Sequence, residues 1–304
     1  YFNRYALFDM NSNPLKKIIL GTAQLGQAYG INSKRKVSEA EAIKILNFSK
    51  SIGINSIDTA PVYGNIESIL GNLNLSNMQI SSKLPHIQGN ISKFEDWTRD
   101  QVYKSLKNLN LNSIDTILLH DPNILLKEEG KKIYTTLKKL KKENIISQIG
   151  VSIYSPEILI EIAPKFEIDI VQAPLNPFDQ RILSPKFLKL LFERNIKIHA
   201  RSIFLQGLIL EETNFNDKYF YKWKELFLSF KKIAKKNNFT LLETCLGFIN
   251  SHKIIEKILI GVDSMSHLKM IISILQKDIT LKDDMKFLSC SEENLINPTK
   301  WPKK

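Results

Sequence analysis

Eight short runs rich in β-branched and aliphatic residues recur along this chain, each followed by an amphipathic stretch, and this alternation restricts the fold more than any other feature. They cover residues 17–20, 55–58, 79–82, 115–119, 147–151, 169–172, 197–200 and 257–260. Strands that alternate with helices pair in parallel, because each crossover helix returns the chain to the same end of the sheet. Most steps between runs are about 20 to 40 residues, room for one helix each, while the step before the last run is about 60. The sequence therefore predicts a (β/α)8 barrel, a TIM barrel, as a single domain over residues 1–304. Its core spans about residues 16–275, with an extra loop and helix at 212–236 before the last strand and a C-terminal tail at 276–304.

The helical stretches carry their own signals. Residues 38–51 open with Ser38-x-x-Glu41, a hydroxyl that caps the first turn and a carboxylate that completes a capping box, and they stop at Gly53. Residues 97–109, 128–142, 185–194 and 241–251 show helical spacing with polar outer faces. A doubly wound sheet is the rival fold, and it needs Gly-x-Gly-x-x-Gly at a strand-to-helix turn. Gly21, Gly26 and Gly30 have the wrong spacing, and Gly150 and Gly261 stand alone. Regular units without that fingerprint favour the barrel, whose chemistry gathers at the C-terminal ends of the strands.

The 43% hydrophobic and 24% charged fractions are those of an ordinary globular protein. Apolar runs such as Ile117-Leu118-Leu119 fall far short of the roughly 20 residues that span a bilayer, so no membrane partner is expected. The segment Tyr1 to Phe8 has neither a basic start with an apolar stretch nor a small-residue cleavage site, so no secretory leader is expected. Cys245 and Cys290 stand apart from any Cys/His cluster, which argues against a zinc site and suits a reducing, cytoplasmic setting. The net charge is +12, but Lys131-Lys132, Lys138-Lys139, Lys141-Lys142, Lys231-Lys232 and Lys235-Lys236 fall on expected outer helices without interleaved aromatic rings. That pattern reads as a solvated helix face, so no nucleic-acid partner is expected.

In such a barrel the polar residues just past the strands point into one mouth. Asp58 ends the second run, Tyr63 follows in Asp58-Thr59-Ala60-Pro61-Val62-Tyr63-Gly64, Lys83 follows the third run and His120 the fourth. Singly, each has an ordinary explanation as a turn former, a packing ring or a structural imidazole. Together, an acid, a phenol, an amine and an imidazole are what proton transfer to a carbonyl oxygen requires. A free tyrosine titrates at about 10, too high for a good donor at neutral pH. A neighbouring ammonium favours phenolate, so Lys83 is expected to draw Tyr63 down, with Asp58 holding Lys83 and His120 orienting the substrate oxygen. No side chain donates hydride, so a cofactor must supply it.

Gly21-Thr22-Ala23-Gln24-Leu25-Gly26, Asp58-Thr59-Ala60-x-x-Tyr63-Gly64, Ser82-Lys83, Ser105-Leu106-x-x-Leu109, Leu118-Leu119-His120, Ile149-Gly150-Val151-Ser152 and Val171-Gln172 resemble aldo-keto reductases in order and strand position. The resemblance implies an NAD(P)H-dependent oxidoreductase that reduces an aldehyde or ketone, with Tyr63 as general acid beside Asp58, Lys83 and His120. It implies nicotinamide contacts at Gly21, Thr22, Asp58, Ser152 and Gln172. Further cofactor contacts are implied at Arg201, Ser202, Leu205, Gly207, Gly261, Val262, Asp263 and His267, and substrate contacts at Tyr29, Tyr63 and His120. Tyr29, Trp97, Pro122, Asn123, Tyr154, Asn176, Pro177 and Phe178 are expected around the mouth, with Trp97 and Phe178 reading equally well as packing.

Three positions depart from the family pattern. Ile153 stands where an Asn usually follows Gly-Val-Ser, and Arg201 stands where an aromatic ring usually stacks on nicotinamide, a task a planar guanidinium can also perform. After the last strand, Gly261-Val262-Asp263-Ser264-Met265-Ser266-His267 lacks the Lys or Arg that reads the 2′-phosphate of NADP(H). Asp263 repels a phosphate and can accept from a ribose hydroxyl, which opens NAD(H) use beside the family's usual NADP(H). The stretch Arg201 to Gly207 is similar to the bacterial branch associated with sugars and surface polysaccharides, so a sugar-derived carbonyl is the expected substrate. The alternative is a cofactor-binding regulatory subunit with little turnover.

Overall fold

The computed structural model describes residues 14–28, 37–89, 91–212, 217–277, 279, 281 and 284–302. All eight runs form one closed parallel barrel in chain order. The strands are β1 (Ile18–Gly21), β2 (Ser56–Asp58), β3 (Gln79–Leu84), β4 (Ile114–Leu119), β5 (Ile146–Ser152), β6 (Ile170–Pro174), β7 (Lys197–Arg201) and β8 (Ile255–Gly261). Helices cover the outside, so most strand residues are buried on both faces, which is why the runs read as near-continuous aliphatic segments.

After the single turn α1 (Ala23–Gly26), the ring comprises α2 (Glu39–Ser51), α3 (Ile66–Gly71), α4 (Phe94–Leu109), α5 (Glu128–Lys142), α6 (Ile158–Ile162), α7 (Pro185–Glu193), α8 (Lys224–Lys236), α9 (Leu241–Asn250) and α10 (Met265–Leu275). The lysine pairs lie on α5 and α8 as expected, with Lys131, Lys132, Lys139, Lys232 and Lys235 exposed. The expected capping box at α2 forms only in half. Ser38 Oγ accepts from the Glu41 amide at 3.3 Å, but the Glu41 carboxylate turns away and accepts from the Met265 amide at 3.0 Å, at the first turn of α10.

Two carboxylates at the starts of strands fix the far end of the barrel. Asp115 accepts from the Ile80 amide and Asp169 from the Ile149 amide, both at 2.7 Å. Between α3 and α4 the motif serines gather on a buried acid: Ser82 donates to Glu67 at 2.7 Å and Ser105 at 3.3 Å. The helices meet closely there, since a Cβ on Gly71 would lie 2.1 Å from the Asn108 carbonyl. The tail crosses back over the β6–α7 loop. Cys290 donates its amide to Phe178 O at 2.8 Å, and Gln180 Nε2 donates to Met285 O at 2.8 Å, ahead of the short α11 (Glu293–Ile296).

Candidate functional site

Register sets the floor of the mouth: Gly21 on β1 pairs with Asp58 on β2, Asp58 with Ser81 on β3, and Ser152 on β5 with Gln172 on β6. Asp58 and Lys83 are nearly inaccessible and form an ion pair with Nζ 2.5 Å from Oδ1, while Nζ also donates to Thr59 O at 3.0 Å. The second carboxylate oxygen of Asp58 accepts from Gln172 Nε2 at 2.7 Å, and Ser152 Oγ donates to Gln172 Oε1 at 3.3 Å. A buried carboxylate is thereby held by an ammonium and an amide, which offsets its desolvation.

Tyr63 reaches the same place from the loop after β2. Its backbone is pinned by two glycines facing each other: a Cβ on Gly26 would lie 1.8 Å from Tyr63 O, and one on Gly64, at φ +69°, 2.5 Å from Gly26 O. Lys83 Nζ stands 5.0 Å from the Tyr63 ring centroid. The expected lowering of the phenol by Lys83 is corrected, because that ammonium is balanced by Asp58. Burial raises the Tyr63 pKa above its ordinary value, Asp58 adds to the rise, and Arg201 is the cation that pulls against it.

His120 packs against His86, with ring centroids 5.3 Å apart. Burial lowers its pKa to about 4, and Lys83, His86 and Arg201 push the same way. The imidazole is therefore neutral at ordinary pH, and its buried Nδ1 makes no hydrogen bond among the described residues. Such a nitrogen is costly unless a ligand serves it.

A cavity of about 480 Å³ runs from this cluster along the ends of β7 and β8. Its wall takes in Gly21, Asp58, Tyr63, His120, Ser152, Gln172, Arg201, Ser202, Gly207, Gly261, Val262, Asp263 and His267. Lys83, its Nζ spent on Asp58 and Thr59 O, is not on that wall, and neither are two expected cofactor contacts. Thr22 donates both its amide and its hydroxyl to Asp58 O at 3.0 Å, and Leu205 is fully buried in the core. Tyr29 lies outside the described residues.

Of the residues expected at the rim, Tyr154 lines the cavity, whereas Phe178 is core, edge-on to Phe227 and Phe230. Asn176 is buried and ties the loop to Ser202 O, Pro177 accepts from Gln180, and Asn123 bonds within its own turn after the buried Pro122. Trp97 lines a second cavity of about 420 Å³ behind His120, with His86 and Phe94. His86, on the second cavity, and Glu41, which bonds to the start of α10 without lining either cavity, were not expected to bear on the site. Glu41 looked like a local cap, and His86 carried a signal in its place three residues after Lys83.

The loop after β7 stores backbone strain. Ser202, Leu205 and Gln206 take left-handed conformations at φ 55°, 45° and 54°, and Gly207 follows at 92°. Within it the Leu205 amide donates to Ser202 O at 2.9 Å and the Gly207 amide to Phe204 O at 2.8 Å, which hold the turn closed. Arg201 is held beside it: Nη2 donates to Ile153 O at 2.7 Å, Nη1 donates to Ser202 Oγ at 2.9 Å, and the guanidinium lies 4.4 Å from the Tyr154 ring centroid. At the far end Asp263 and His267 are half-exposed, with Oδ1 and Nδ1 2.6 Å apart. Lys269 sits over the Phe48 ring instead of facing Asp263. Among the described residues no three His, Cys, Asp or Glu side chains could hold a metal ion, and no helix is long and apolar enough to cross a membrane.

Residues 17–288 match the model of the aldo/keto reductase family. The chain is 25% identical over 288 residues to D-arabinose 1-dehydrogenase of Saccharomyces cerevisiae, covering 86% of this chain and 83% of that one. It is 22% identical over 303 residues to L-galactose dehydrogenase of Arabidopsis thaliana, covering 93% and 92%. The holo form of an aldo-keto reductase from Bacillus halodurans superposes with a TM-score of 0.71 at 17% identity, covering 90% of each chain.

Proposed function

From the premise that this chain belongs to the aldo/keto reductase family, oxidoreductases that use nicotinamide cofactors, we propose that it reduces an aldehyde or ketone, with Tyr63 as general acid and with NAD(H) favoured over NADP(H). The observation that carries the reading is the convergence of Tyr63, the Lys83–Asp58 pair and a neutral His120 on one end of an elongated cavity. The cavity suits a dinucleotide. Gly261 lets the Gln24 side chain, also on the wall, lie against the end of β8, since a Cβ there would fall 2.3 Å from it, and the left-handed turn at 202–207 borders the same cavity. When bound, the cofactor supplies the hydride.

The side chains handle the proton. Tyr63 gives its phenolic proton to the carbonyl oxygen, and the Arg201 charge stabilises the phenolate left behind, in line with its downward pull on that group. His120, kept neutral by burial, donates a hydrogen bond to the same oxygen and orients it. Lys83 and Asp58 hold each other and frame the Tyr63 ring, while Gln172 and Ser152 fix the second oxygen of Asp58.

NAD(H) is favoured because both acids near the first turn of α10 oppose a 2′-phosphate: Asp263 on the approach, and Glu41 already accepting from the Met265 amide. The sugar named for each of the two relatives supports a sugar-derived substrate. The test is turnover with NADH and with NADPH against a panel of aldoses, sugar-derived ketones and simple aldehydes. Carbonyl-dependent oxidation of NADH supports the proposal. Tight cofactor binding without turnover on any of them replaces it with the regulatory-subunit reading.

A further inference from the structure

The charges around the mouth do not cancel. Asp58 and Lys83 neutralise each other at 2.5 Å, and His120 and Tyr63 are uncharged at ordinary pH. Arg201 remains. Its hydrogen-bond partners among the described residues are the neutral Ile153 O and Ser202 Oγ, and its plane rests on the Tyr154 ring. Asp179, an acid on the neighbouring loop that feels the Arg201 charge, is held by Arg181, whose Nε and Nη2 each donate to it at 2.9 Å. A guanidinium is a fixed cation, so the catalytic end of the cavity carries a positive charge that the fold clamps and that forms no ion pair among the described residues, Glu211 and Asp263 on the same wall included.

This charge has a consequence that rests on the proposed function. Hydride reaches the carbon, and the proton the oxygen, of one carbonyl bond, so the nicotinamide ring must lie beside Tyr63 and hence near Arg201. The oxidised ring is a cation and the reduced ring is neutral. We infer that Arg201 acts as a redox-state discriminator, making the protein hold reduced nicotinamide dinucleotide tightly and release the oxidised form. The clamp matters because a mobile side chain would swing away from an arriving cation, whereas one bonded to Ile153 O and stacked on Tyr154 keeps its charge in place. Each tenfold preference for the reduced form raises the midpoint potential of the bound two-electron couple by about 30 mV and hastens loss of the oxidised product after a reductive turnover.

The experiment measures dissociation constants of NADH, by nicotinamide fluorescence, and of NAD⁺, by competition, for wild type, Arg201→Gln and Arg201→Lys. Wild type should bind NADH at least about tenfold more tightly than NAD⁺. Arg201→Gln should shrink that ratio by about tenfold, mainly by improving NAD⁺ binding, and Arg201→Lys should keep it within about threefold. Equal weakening of both forms in Arg201→Gln, or a ratio that does not move, overturns the inference. So does wild-type affinity for NAD⁺ equal to that for NADH, a result that needs no variant to fold. If wild type binds no nicotinamide dinucleotide at millimolar concentration, the proposed function itself fails; binding with an unchanged ratio removes the discriminator alone.

Discussion

Asp263→Arg tests the cofactor assignment most directly. Its side chain is 44% exposed and faces His267 at the far end of the cavity, so solvent must be allowed for in any electrostatic figure. At about 5 Å in water-like dielectric, a pair of unit charges is worth about 0.8 kcal/mol. A 2′-phosphate carries about −1.5 to −2 charges, so reversing one side chain from −1 to +1 changes the interaction by about 2.5 to 3 kcal/mol before screening. Physiological salt removes roughly half at these separations, leaving about 1.4 kcal/mol, a tenfold change. Dissociation constants for NADPH and NADH, read by fluorescence for wild type and mutant, should shift in ratio by at least about that factor toward NADPH. Glu41→Gln keeps an acceptor for the Met265 amide but removes its charge, and should shift the ratio by about threefold. A ratio that stays put in Asp263→Arg means that the side chain does not face the adenosine ribose, and the electrostatic argument for NAD(H) falls with it.

Tyr63→Phe should lower carbonyl reduction by about 10² to 10⁴-fold with cofactor affinity nearly intact, and a mutant that keeps more than a tenth of wild-type turnover counts against Tyr63 as the acid. Lys83→Met leaves Asp58 buried with only Gln172 and should cost about 3 to 5 kcal/mol in urea unfolding, much of it recovered in Lys83→Met/Asp58→Asn. A single mutant as stable as wild type would refute the pairing argument. His199, buried on β7, has its pKa lowered from 6.5 to about 3 by burial, with Lys257 and Lys197 adding to the shift. Its contribution to stability is therefore complete above about pH 6.5 and declines as pH falls toward about 3, a loss of about 2 to 3 kcal/mol between pH 7 and 4.5. His199→Gln should flatten that slope, and equal acid sensitivity in mutant and wild type would show that another group carries it.

The barrel was legible because parallel strands buried on both faces must be aliphatic throughout, and each expected run lies within a residue or two of its strand, as with 17–20 against Ile18–Gly21. The short helices α3 and α6 were not legible, since six and five residues give less than two turns, too few for a repeating apolar face to be read. Asp58, Lys83 and His120 could be placed because a strand end has only one direction to point. The loops resisted for a physical reason: their side chains answer to distant partners. Glu41 carried a capping signal three residues after Ser38, yet its carboxylate is drawn to an amide on α10, more than two hundred residues away. Phe178 read equally as rim or packing because nothing in the sequence shows that α8 folds Phe227 and Phe230 over it. Thr22 sits between two cavity-lining neighbours, but its hydroxyl is taken by Asp58 O.

The hydrogen bonds inside the mouth also bear on the proposal that the phenol, among four titratable groups, is the one that passes a proton. Asp58 has both oxygens engaged, Oδ1 with Lys83 and Oδ2 with Gln172, so it can neither take a proton nor offer one without breaking a buried contact. Lys83 gives two of its three protons to Asp58 and Thr59 O, and transfer of one would leave the carboxylate facing a neutral amine in a dry site. His120 is neutral, so losing its remaining proton would create an imidazolate that nothing on the wall can stabilise. Tyr63 differs in both respects. Its hydroxyl takes no part in the hydrogen bonds that join Asp58, Lys83 and Gln172, and Arg201 pulls against the rise in pKa that burial and Asp58 impose on it. Burial and Asp58 set that pKa high in the resting protein, so on the proposed reading the proton stays on the oxygen until a carbonyl arrives and acquires negative charge.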